Sequence, residues 1–279
     1  MFVFMLQLNE PGSEKYKEFY GRNTEQMQKL IGEGYSPLSV AKLMELRINN
    51  GEELPDSRDK YVNMGDIVIY NQNEKLKIVY DSQHLREINP QSRIRNGALI
   101  LEYSVYESLQ GPEFTRSELK NSTEKQLSKK QAKENPIWLA LARDKAKLHE
   151  YVDCVFSETK KIFGYTENMG VYLDLPSDNI KLRSWYVDGF GGRSDADGRV
   201  DLDGDYGRLV GVAPGAQLQR GNDQTDQFFC DREVIAENFR QRNNTSPSLE
   251  QIISVGKNYV RAHQFADYEA AIKKLYDQK

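Results

Sequence analysis

Residues 188–207 read DGFGGRSDADGRVDLDGDYG, six aspartates and six glycines interleaved in twenty positions. A helix does not tolerate that density of glycine, and a buried strand does not accept that density of charge. The stretch must therefore run as turns and short solvent-facing strand segments. It lies between two β-type runs, residues 180–187 (IKLRSWYV) and 208–212 (RLVGV), so the second half of the chain is expected to be a sheet interrupted by an acidic, tightly turning connection.

Within this connection Asp201, Asp203 and Asp205 occupy alternate positions. A curved loop with that spacing can aim several hard oxygens at one Ca²⁺ or Mg²⁺, so these three are the candidate metal ligands. They would serve a divalent-metal-dependent hydrolase or nuclease by helping to activate water. The helix-loop-helix calcium pattern wants glycine directly after the third acidic residue and glutamate at the twelfth position, where this chain has Tyr206 and Val212. An EF-hand is excluded. The competing account needs no metal. Asp197-Gly198 and Asp203-Gly204 are hairpin-turn pairs, aspartates alternating with Val200 and Leu202 form a wet strand face, and Arg193, Arg199 and Arg208 supply counter-charges. This account is preferred, and no cofactor is assigned beyond the candidate Ca²⁺ or Mg²⁺.

Other chemical constellations are thinner. Gly189 to Arg193 lacks the following helix that a phosphate cradle requires, and neither GxxxxGK[ST] nor GxGxxG occurs. His149 and Asp153 stand four apart in a helical segment beside Cys154, but an exposed ion pair explains them better than zinc. The dyads Cys154/His149 and Cys230/His263 have no nucleophile elbow around them. The two cysteines give no disulfide framework, residues 1–6 (MFVFML) read as a strand lacking a signal-peptide pattern, and the sequons at Asn121 and Asn243 are discounted. A cytoplasmic location is expected.

The order of elements predicts an α+β fold with an N-terminal helical hairpin, a mainly antiparallel sheet, a long amphipathic helix and a helical C-terminal tail. Helices are expected over 13–20 and 24–33, with Gly34 as a left-handed cap, and from Ser36-Pro37 to Gly51. Strands follow at 67–70 and 76–80 as a hairpin, and at 98–106. The polar run 116–134 (RSELKNSTEKQLSKKQAKE) is too poor in apolar positions to pack a face, which makes 117–134 a boundary between regions 1–116 and 135–279, a single domain being the alternative. A helix capped by Asn135-Pro136 runs on to Gly164, a strand covers 171–175, and helical segments resume from Ser246-Pro247.

The 38 basic and 42 acidic side chains leave a net charge of −4, with no surplus to attract nucleic acid or an anionic membrane, and no apolar run is long enough to span one. Residues 27–44 have the outline of a helix-turn-helix DNA-binding module, but Lys42, Arg47 and Arg58 are diluted by Glu45, Glu52, Glu53 and Asp56. The expected function is that of an intracellular binding or assembly protein with a protein partner. Segments such as Trp185-Tyr186 are the expected contact aromatics.

Overall fold

The computed structural model describes residues 15–49, 54–174, 179–214 and 273. The chain divides into two compact units, Met1–Leu218 and Gln219–Lys279, and every strand described belongs to the first. The strand expected at 1–6, the C-terminal tail, Cys230, Asn243 and His263 lie outside the described residues.

The first and last described strands lie side by side. Tyr16–Tyr20 (β1) pairs antiparallel with Arg208–Val212 (β11), Tyr16 opposite Val212 and Tyr20 opposite Arg208. Residues 16–20 are thus strand where local pattern predicts helix, because a partner nearly two hundred residues away satisfies their backbone. Asn23–Gly32 (α1) forms as expected, and Gly34 takes φ +83° beyond it. The next helix starts later than predicted. Ser36–Pro37 (β2) pairs with β11, and Val40–Ile48 (α2) is capped by Ser39, whose Oγ accepts from Lys42 N at 3.2 Å. The buried carboxylate of Asp66 accepts from Val40 N at 2.7 Å, which satisfies another free amide of that first turn.

Val62–Tyr70 (β3) is buried at all nine positions, as a strand covered on both faces must be. It pairs with Lys75–Val79 (β4) in the predicted hairpin and, across a bulge between Asn63 and Ile67, with the later strand Ile180–Val187. Gln83–Arg86 (α3), Ile94–Arg95 (β5) and Ala98–Leu101 (β6) follow. The strand expected over 98–106 ends at Leu101, which pairs with Ile180 at the very end of its neighbour. The chain then turns into Tyr103–Ser108 (α4) and Glu113–Thr115 (β7).

The polar run is more anchored than its composition suggests. Arg116–Leu119 (α5) and Lys129–Glu134 (α6) each begin with a reciprocal capping box, Thr115 with Glu118 and Ser128 with Gln131, while Leu119, Leu127 and Ala132 are buried. The predicted long helix is two. Pro136–Ala142 (α7) starts at the expected Asn135 cap, Arg143 adopts φ +60°, and Asp144 caps Lys145–Phe163 (α8), which ends at Gly164 as predicted. The break lets the Arg143 guanidinium reach Asp66 and lie 4.1 Å over the Tyr80 ring. The remaining strands are Val171–Tyr172 (β8), Ile180–Val187 (β9) and Ala196–Asp197 (β10). The strand order is β1-β11-β3-β9-β10-β8, and pairing is antiparallel except for β8 with β10 and β3 with β11 among the described residues.

Alternating strand residues feed two cores. Val62, Met64, Val68, Tyr70, Trp185, Val187, Val210 and Val212 pack with α2, α7 and α8. Ile67, Ile69, Ile180, Leu182 and Leu209 pack with Met27 and Leu30 of α1 and with Leu85 and Tyr106. The expected N-terminal helical hairpin is therefore corrected: α1 and α2 feed different cores, α1 against β11 and β2 and α2 chiefly against α7 and α8, because their apolar stripes are buried on separate partners.

Candidate binding surface

The acidic connection is pinned along its length. Tyr70 OH donates to Gly198 O at 2.9 Å, Leu202 is fully buried, its N–H donates to Gly97 O at 2.8 Å, and its carbonyl accepts from Thr24 N at 3.1 Å. Arg183, a buried residue of β9, reaches across: Nη1 donates to Val200 O at 2.8 Å and to Asp201 Oδ1 at 3.0 Å, and Nη2 donates to Asn96 O at 2.6 Å. At the far end Arg22 Nε meets Asp205 Oδ1 at 2.6 Å and Gly21 N donates to Gly207 O at 2.9 Å.

The three candidate metal ligands have separate surroundings. Asp201 neutralises Arg183, Asp205 neutralises Arg22, and Asp203 is exposed. No group of three or more His, Cys, Asp or Glu side chains able to hold a metal ion occurs among the described residues. The loop's shape follows from turns, one buried leucine and arginine counter-charges.

Other singled-out residues are structural. Asp153 sits between Lys129 and Lys133 at 2.7 and 2.8 Å, and those cations hold its carboxyl below the usual range. Cys154 lies 3.7 Å from Arg47 O, and burial pushes its thiol up, away from the thiolate a nucleophile needs. In α2 no residue is exposed, so it cannot enter a DNA groove as a recognition helix. Trp185 is corrected as a contact residue, being fully buried in the core.

What the structure does expose at one end of the β1–β11 pair is Tyr20 and Tyr206, beside the half-buried Tyr61 and Tyr186. Tyr206 is 85% exposed and Tyr20 is 54% exposed. Tyr20 OH donates to Glu18, Glu18 accepts from the buried Arg208, and Arg208 Nη1 donates to Tyr61 O at 2.5 Å. Tyr61 OH in turn donates to Tyr206 O at 2.6 Å, while its ring stacks on Tyr186 with centroids 5.1 Å apart. Tyr186 OH donates to Asp188 Oδ1 at 2.7 Å, and burial followed by this bond pushes the phenol up. Burial works against Glu18 ionisation, but the Arg208 and Tyr20 hydrogen bonds and the Arg208 charge outweigh it and hold the carboxyl below its usual range. Four tyrosines separated by up to 186 positions in sequence meet here, which no local pattern signals.

Elsewhere, Asp174 accepts from two cations of β9, Lys181 Nζ at 2.7 Å and Arg183 Nε at 2.8 Å. Burial, the largest single influence, raises its pKa, yet the two cations together leave it lowered. A carboxyl depressed on folding adds stability above its unfolded value, and that stability is lost as pH falls through the folded value. Asp174→Asn is expected to be less stable than the parent at neutral pH, with the gap narrowing below about pH 4. Urea unfolding at a series of pH values checks this; a gap that stays constant contradicts it.

No known protein family matches the sequence, and no curated protein does. The chain is similar to a solved nanoarchaeal structure in which the C-type lectin fold accommodates massive sequence variation. The identity is 18% and the TM-score 0.56, over 73% of this chain and 100% of that one. The protein is therefore a mixed α+β molecule with a C-type lectin-like fold.

Proposed function

We propose that the protein is a binding protein that grips a protein partner with the surface formed by Tyr20, Tyr61, Tyr186 and Tyr206. The observation that carries this is Tyr206, the most exposed large hydrophobic side chain described, on a loop held by Arg183, Leu202, Arg22 and Tyr61. Tyrosine offers large amphipathic contact area at small entropic cost, and a fixed backbone removes the cost of ordering the loop on binding. The neighbouring charges are already matched as Glu18 with Arg208, Arg22 with Asp205 and Lys60 with Asp56. No cation surplus is left there for phosphates, which favours protein over nucleic acid. Likeness to a fold that accommodates massive sequence variation in the nanoarchaeal chain supports a fixed scaffold whose surface carries recognition.

The test is capture on immobilised full-length chain, comparing the parent with the double variant Tyr20→Ala/Tyr206→Ala. A protein retained by the parent should bind the variant about 30-fold or more weakly, as expected for central aromatic anchors. Equal retention by both chains removes this surface from the proposal.

A further inference from the structure

The last turn of α8 exposes Ile162 and Phe163, at 60% and 43%. Gly164 closes the helix at φ +73°, and the chain doubles back so that Tyr165 stacks on Phe163 with centroids 5.3 Å apart. The Arg193 guanidinium covers the Tyr165 ring at 4.3 Å, and Tyr165 OH donates to Gly191 O at 3.2 Å. Lys160 and Lys161 are exposed in the same turn. Among the described residues neither Lys160 nor Lys161 has a carboxylate ion-pair partner, although Glu158 and Glu167 flank them in sequence, while Arg193 Nη1 donates to Glu167 O at 3.3 Å and its charge acts on the Asp195 carboxyl.

A tip of two apolar side chains is far short of the roughly 800 Å² per partner that a stable protein interface buries. Lysine, two of the three cations here, is depleted from such interfaces. The combination of an aliphatic and aromatic tip, a tyrosine with one polar end and two exposed lysines suits the boundary between water and lipid, where no complementary pocket is needed. We propose that the C-terminal tip of α8 docks on an anionic lipid surface. Ile162 and Phe163 enter the acyl boundary, and Lys160, Lys161 and Arg193 face the head groups. No helix among the described residues is long and apolar enough to cross a membrane, and docking of this kind requires none. The net charge read from the sequence does not exclude such docking, because two adjacent exposed lysines do not show in a total of −4.

Flotation of the full chain with phosphatidylcholine vesicles containing about 30 mol% phosphatidylserine, against phosphatidylcholine alone, tests the proposal. The chain should float only with the anionic vesicles and be released by about 0.5 M salt. Ile162→Ser/Phe163→Ser should weaken partitioning about tenfold or more. Ile162→Ser alone, at the more exposed position, should weaken it in the same direction with unchanged circular dichroism. The double variant Tyr20→Ala/Tyr206→Ala should float like the parent, which separates this proposal from the tyrosine surface. Absence of flotation, equal flotation with neutral vesicles, or tip variants that behave like the parent would overturn it, as would capture of polyglutamate by a chain that ignores vesicles.

Discussion

Replacing Arg47 by alanine should remove about 3–5 kcal/mol of stability, among the largest losses any single change in the described residues should produce. The side chain is completely buried. Its Nε donates to Ser57 O at 2.6 Å, Nη1 donates to Tyr151 OH at 2.8 Å and Ser194 Oγ at 3.0 Å, and Nη2 donates to Lys60 O at 3.3 Å. The guanidinium also lies over the Phe190 ring at 5.5 Å. Truncation leaves a cavity and strands the carbonyls of Ser57 and Lys60, whereas Tyr151 and Ser194 keep the 2.5 Å bond between them. Arg47→Met separates the two causes, since it restores most of the volume and none of the donors. It should recover only the cavity part, leaving a loss of about 2 kcal/mol. Urea unfolding measures both, and a loss below about 1 kcal/mol for Arg47→Ala would show that the network contributes little.

Arg183→Leu should cost a comparable 3–5 kcal/mol, roughly, and should also loosen one identifiable segment. Arg183 is the one side chain that joins β9 to the acidic connection, to the β5–β6 turn at Asn96 and to Asp174. Leucine deprives the Asp174 carboxylate of one of its two cations, leaving Lys181 beside it, and leaves three backbone carbonyls without their donor. Proteolysis and amide exchange should therefore accelerate at residues 199–207 ahead of global unfolding. Arg183→Lys should not restore protection, because one ammonium cannot span the five acceptors that the planar fork reaches. Unchanged exchange at 199–207 in the leucine variant would contradict the pinning role, and partner capture through Tyr206 should weaken together with that protection.

Several elements were legible because their signals are local. The Asn135 cap and first-turn Pro136, the Gly164 terminator, the hairpin of β3 with β4 and the strands β9 and β11 sit where residue order places them. The misreadings share one cause, a long-range partner that outbids local preference. Residues 16–20 became strand because β11 offered an edge, and Ser36-Pro37 became a bridge strand for the same reason. The break at Arg143 lets its guanidinium meet a carboxylate on β3, a partner that no inspection of 136–164 could reveal.

The acidic connection shows the division most clearly. Its density of aspartate and glycine determined, without any coordinates, that it would be a turning, solvent-facing loop, because glycine's freedom and the cost of burying charge act within a few residues. Whether the carboxylates would converge was decided elsewhere, by Arg183 and Arg22, which reached them first from β9 and from the start of α1. The tyrosine surface belongs wholly to tertiary structure. Tyr20, Tyr61, Tyr186 and Tyr206 become neighbours only when β1 and β11 pair beside β3 and β9, since juxtaposition across a sheet depends on strand order and not on spacing along the chain.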